Sequence, residues 1–138
     1  MRRRRKSRIL ALYMLYSMEV QKDVSVSTAR LVLGLFSKAF PQSIEDFSLH
    51  LVHGVLAHKK EMDDLVREQS YHWRFDRIAL IDRQIMRIAL FELLFDAKTP
   101  AAVCINEAVD IAKMFSTCES GHFINGILDN IRKLPKNS

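Results

Sequence analysis

Apolar residues return every three or four positions along almost the whole chain, and no stretch alternates apolar with polar over the length of a strand. That periodicity admits helices and little else. Only four Gly and three Pro interrupt 138 residues, so few positions offer a break or a strained turn. In residues 7–21, Ile9, Leu12, Tyr13, Tyr16 and Val20 form one stripe, widened by Leu10, Met14, Leu15 and Met18. A second helix is predicted over 28–39, after the capping cluster Asp23, Ser25 and Ser27 and before Phe40-Pro41. A third, capped by Ser43 and reaching residue 68, sets Ile44, Phe47, Leu51, Val55, Met62, Leu65 and Val66 opposite Glu45, Asp46, Lys59 and Asp63. The segment 69–77, with Tyr71, His72, Trp73 and Phe75, joins two helical halves and lacks the Gly and Ser of a loose tether.

Past that connection, residues 78–95 read as one strongly apolar helix whose polar side carries Arg83 and Arg87 at i and i+4. Thr99-Pro100 has the form of an N-cap followed by a first-turn proline and opens a helix to residue 115. The last helix is predicted to begin after Ser120 and to stop at Leu134-Pro135. The fold class expected is all-α, six to seven helices in two packed small bundles, residues 9–68 and 78–134 of a single domain spanning 1–138. A hydrophobic content of 49% is enough to fill such cores.

Charge is distributed far less evenly than apolarity. Of 21 Lys and Arg, six stand in the first eight positions (Arg2, Arg3, Arg4, Arg5, Lys6 and Arg8), a basic arm with no acidic residue. The remaining 15 face 16 Asp and Glu, so residues 9–138 carry a formal charge of −1. A tip of +6 ahead of a near-neutral body marks a binder of polyanions, with nucleic acid first among them. Arginine suits that partner because its planar fork meets phosphate bidentately and its faces stack on unpaired bases.

Other classes fare worse. The basic start followed by an apolar stretch imitates a signal peptide, yet Tyr13, Tyr16 and Ser17 interrupt it, Glu19 and Asp23 follow at once, and no small-residue cleavage site intervenes. No apolar run is long enough to span a bilayer, so a cytoplasmic protein without membrane attachment is expected. Cys104 and Cys118 are too few for a disulfide framework. His50 and His53 stand at i, i+3, but His58 does not complete a metal-binding face with them. Gly34, Gly54, Gly121 and Gly126 are scattered singly, which rules out a phosphate-cradling loop. The expectation is a non-catalytic chain with no cofactor and no metal.

Two stretches carry a family likeness. One is Arg4-Arg5-Lys6-Ser7-Arg8 leading into Ala11-Leu12-Tyr13-Met14-Leu15-Tyr16-Ser17-Met18-Glu19. The other comprises residues 81–93 (IDRQIMRIALFEL), Pro100, residues 105–115 (INEAVDIAKMF) and residues 123–129 (FINGILD). In these the chain resembles the NusB family of transcription antitermination factors. The resemblance implies a two-bundle helical fold and RNA binding without catalysis. It further implies, as partners, single-stranded boxA-type RNA of ribosomal RNA leaders, a small-subunit ribosomal protein in its NusE role, and the RNA polymerase antitermination complex. Members of the family differ in self-pairing, which leaves monomer and homodimer both open.

Carried over residue by residue, the likeness places Arg4, Arg5, Lys6 and Arg8 on RNA phosphates and bases, Tyr16 as a stacking or hydroxyl contact, and Arg87 as a further cation; Arg83, one turn earlier on the same polar side, joins the candidate RNA surface. Glu119, His122 and Phe123 match the loop and start of the final helix, where backbone N–H groups and the positive helix end also receive phosphate or a base edge. His122 stands where members often carry Lys or Arg, and Gly121 replaces a larger residue, which lowers the local positive charge. Three competing assignments accompany these. Tyr16 is a core residue if its ring is covered, Arg87 pairs with Asp82 or Glu92 if it is structural, and Asn106 and Glu107 are read as interhelix packing. Two rival functions are a protein-binding scaffold without specific RNA recognition and the RNA-recognition piece of a ribosomal RNA methyltransferase.

Overall fold

The computed structural model describes residues 3–23, 25–35, 40–70 and 74–135. Arg2 of the basic run, residues 36–39 at the predicted end of the second helix, and Tyr71, His72 and Trp73 lie outside them. Every regular element among the described residues is helical: α1 (Arg3–Val20), α2 (Val26–Gly34), α3 (Gln42–Gln69), α4 (Leu80–Leu90), α5 (Ala101–Phe115) and α6 (Cys118–Arg132). A 3₁₀ turn at Phe75–Arg77 precedes α4, and a π-type segment, Phe91–Asp96, continues it. None of these helices is long and apolar enough to cross a membrane.

Two compact units divide the chain, Met1–Ala57 and His58–Ser138, and α3 contributes to both. In the first unit, α1 buries Leu10, Leu12, Met14 and Met18, and α2 buries Ala29, Val32 and Leu33. Ser25 caps α2, its hydroxyl oxygen accepting the N–H of Thr28 at 3.1 Å. Two buried hydroxyls clasp α1 to α3: Ser7 Oγ donates to Ile44 O at 3.0 Å, and Ser48 Oγ lies 2.8 Å from Ser7 O. In the second unit α5 packs on α4 and α6. Ile85, Met86, Ile105, Ala108, Ile124 and Leu128 lie in its core.

Several sequence expectations shift. α1 begins at Arg3 rather than residue 7, because arginine and lysine are good helix formers and the clasp at Ser7 holds the turn that follows them. α2 ends at Gly34, and α3 takes in Ser43 instead of being capped by it. Thr99 is not the cap of α5. Pro100 holds that place, while Thr99 Oγ1 donates to the buried Glu92 carboxylate at 3.3 Å. α6 starts three residues early, because Thr117 caps it by accepting the N–H of Ser120 at 2.9 Å. The polar side expected for α3 is also only partly solvent-facing: Asp46 is exposed, whereas Glu45 and Asp63 are buried.

Candidate nucleic-acid interface

Arg3, Arg4, Arg5 and Lys6 make up the first turn of α1, and no acidic residue shares it. The four N–H groups at a helix start already carry positive partial charge, so cations placed there cost stability, each about 0.3–1 kcal/mol at low salt. Arg3 and Arg4 are exposed and Arg5 and Lys6 half-buried. The guanidinium of Arg4 lies over the Phe47 ring of α3, 3.7 Å from its centroid.

Arg8 departs from the expected surface. It shares a helical face with Leu12 and Leu15, whose packing turns it inward to 5% exposure. Tyr16 goes the other way. At 42% exposure it is no core residue, and Tyr13, one turn earlier, is similarly open. The first unit therefore presents a basic helix start followed along α1 by two accessible tyrosines.

The remaining predicted residues belong to the second unit. Arg87 is 2% exposed, and its Nε and Nη2 donate to Asp63 Oδ1 and Oδ2 at 2.8 and 2.9 Å. It adds no cation to the surface, and these two bonds tie it to an acid of α3. Arg83 is half-buried, with its guanidinium 5.4 Å from the Phe75 ring centroid. Arg67 covers the same ring at 4.4 Å.

Glu119 and His122 are exposed and Phe123 half-buried at the start of α6. Glu119 and Phe123 line a cavity of about 210 Å³ together with Arg77, Ile78, Ala79, Asp82, Thr117 and Ser120. At its base Ser120 Oγ donates to Asp82 Oδ2 at 2.8 Å, while Asp82 Oδ1 is buried without a hydrogen bond among the described residues. Asn106 is exposed and Glu107 buried, so only the second sits where interhelix packing was expected.

Phe47 was not legible as part of any site, since it reads as one more apolar residue of α3. Arg77, Asp82 and Ser120 were equally hidden, because the loop and helix start that gather them are far apart in sequence.

Comparison with known proteins agrees with this architecture over most of the chain. The model of the NusB family matches residues 5–133. The transcription antitermination protein NusB of Desulforapulum autotrophicum is 44% identical over 131 residues, which cover 95% of this chain and 92% of that protein. The solved structure of T. maritima NusB superposes with a TM-score of 0.84 at 30% identity, over 94% of this chain and 90% of that one. A crystal structure of antitermination factors NusB and NusE in complex with dsRNA superposes with a TM-score of 0.83 over 96% of this chain and 98% of that one, and at 24% identity that likeness is one of fold. With helices, matched residues and near-complete mutual coverage in agreement, the chain belongs to the NusB family.

Proposed function

We propose that the chain is a non-catalytic, cytoplasmic RNA-binding factor of transcription antitermination. In this reading it holds boxA-type single-stranded RNA together with a ribosomal protein in the NusE role and acts on RNA polymerase. The observation that carries the reading is the first turn of α1, where Arg3, Arg4, Arg5 and Lys6 meet the positive end of a helix dipole and no acidic residue shares the turn. A polyanion is the ligand that converts that liability into binding energy. The relatives named as antitermination proteins, and the solved NusB and NusE complex with RNA, support the same role.

Within the proposed surface Arg5 and Lys6 are phosphate contacts, aided by Arg3, and Tyr16 offers a ring or hydroxyl to the RNA. Glu119, His122 and Phe123 form a second candidate patch at the start of α6. Arg8 and Arg87 serve the fold instead.

The test is fluorescence anisotropy with a boxA-like and a scrambled single-stranded RNA, with and without the ribosomal partner, over a salt series. Three phosphate contacts give a slope of log K on log salt near −2, or roughly twentyfold weaker binding between about 50 and 200 mM salt. Replacing Arg5 and Lys6 by Ser should make the slope shallower by about 0.7 for each cation removed. Equal affinity for both RNAs, or an unchanged slope in the Ser variants, sinks the reading.

A further inference from the structure

Arg4 differs from its neighbours in what its side chain rests on. A distance of 3.7 Å from guanidinium carbon to ring centroid is stacking contact with Phe47. Along α3 from that ring stands His50, its imidazole 5.9 Å away at an interplanar angle of 28°. Arg4, Phe47 and His50 form a cluster of flat groups in which Arg4 and His50 are exposed and Phe47 is half-buried. The cluster is held in place by the Ser7 and Ser48 clasp. Ser7 lies three residues after Arg4, and its bonds to Ile44 and Ser48 bracket Phe47.

A guanidinium has two faces. Phe47 takes one, and the exposure of Arg4 leaves the other to solvent. A cation used only as a counter-charge for phosphate gains nothing from being pinned on a ring, and a mobile lysine would serve as well. A pinned guanidinium offers something else, a flat polarised surface of fixed orientation on which a base of any identity stacks.

We propose that Arg4, seated on Phe47, is a stacking subsite for one unpaired base of bound RNA, and that Phe47 is its positioning residue. This rests on the RNA-binding reading above and assigns within it a base contact that charge alone does not require. The subsite tolerates every base, because each has a π face, so it adds affinity without adding sequence preference.

The experiment uses the full chain and a labelled boxA-like single-stranded RNA, read by anisotropy at several salt concentrations. Arg4→Lys keeps the charge and loses the plane, while Phe47→Leu keeps an apolar side chain and loses the ring. Each should weaken binding about five- to tenfold, the lower part of the range for losing one stacked base. The salt slope should not change, since every cation that meets a phosphate is still present. The double variant should bind no more weakly than the poorer single one, because both changes remove the same interaction. Phe47→Tyr should bind as the unaltered chain does.

A set of RNAs with one abasic position each should include a single member that the unaltered chain and Arg4→Lys bind equally. Arg4 is exposed, so Arg4→Lys decides the matter even if Phe47→Leu lowers stability. Unaltered affinity in Arg4→Lys, or additive losses in the double variant, overturns the subsite while leaving RNA binding intact. Failure of the unaltered chain to bind either RNA overturns both, whereas equal binding of a boxA-like and a scrambled RNA overturns the boxA reading alone.

Discussion

Removing the carboxylate of Asp63 while leaving Arg87 in place should cost far more stability than removing both. The two side chains are 9% and 3% exposed and joined by two short hydrogen bonds. Asp63→Ala takes two charge-assisted hydrogen bonds from a guanidinium that keeps its charge at any accessible pH, in a place that water barely reaches. Breaking such a pair costs about 3–5 kcal/mol. Against a total stability of about 5–15 kcal/mol for an ordinary domain, that is a third or more in most cases. At about 3–5 °C per kcal/mol for a chain of this length, the midpoint of thermal unfolding should fall by roughly 9–25 °C.

Asp63→Leu combined with Arg87→Met replaces the pair by apolar groups of similar bulk and should return to within about 1 kcal/mol of the unaltered chain. Thermal and urea unfolding followed by circular dichroism would supply the cycle, with RNA anisotropy run in parallel below the lowest transition. Arg87→Met should bind RNA normally where it is folded. A midpoint unmoved by Asp63→Ala, together with weakened RNA binding by Arg87→Met, would refute the reasoning and return Arg87 to the surface.

Thr117→Ala removes the side-chain cap on Ser120 N–H and should cost about 1 kcal/mol, whereas Thr117→Ser should cost little; equal unfolding midpoints in the two variants would contradict this. Gly121→Ala places a methyl 3.5 Å from Val109 Cγ1 and Lys113 Cγ, ordinary contact, and should raise stability by about 0.5–1 kcal/mol in urea unfolding, a fall being the opposing result. The Asp23 carboxyl should titrate below its ordinary 3.8, because the Thr28 hydroxyl and then the Ser25 hydroxyl and N–H favour the charged form. Its support for the start of α2 is thus complete above pH 3.8 and lost as pH falls through the lowered value, which a carboxyl-carbon NMR titration would follow; a midpoint at or above 3.8 would count against it.

Helical periodicity made the elements visible because each helix buries a stripe that recurs every 3.6 residues, as Leu12 and Leu15 do in α1 and Ile85 and Ile88 in α4. The π-type segment escaped that reading. One residue more per turn leaves Phe91–Asp96 apolar throughout most of its length, so the run looks like simple continuation of α4. Partners remote in sequence were hidden for a different reason. Arg83 and Arg87 present the spacing of a basic face, and nothing local reveals that Arg87 meets an acid 24 residues away. Asp63 in turn looked solvent-facing because a charged residue is counted as exposed until its partner is known. Phe47 was concealed by the same distance, since its guanidinium partner lies on another helix. The basic run itself needed no tertiary knowledge, because an unbroken charge of one sign is visible in any conformation.

The clasp of Ser7 and Ser48 sets a limit on what the first turn of α1 does in the free protein. Residues before it carry mutual repulsion and an opposed dipole, while residues after it are fixed in a packed helix. Any loosening of that turn is limited by the seat of Arg4 on Phe47 and stops at the clasp, so it leaves the core untouched. By reciprocity, a ligand bound only when that turn is wound also winds it, with a gain of about 2.7 kcal/mol at a hundredfold excess over its dissociation constant. In the proposed site, RNA brings negative charge to the start of the helix it binds, and its occupancy becomes readable in the hydrogen-exchange protection of residues 3–6.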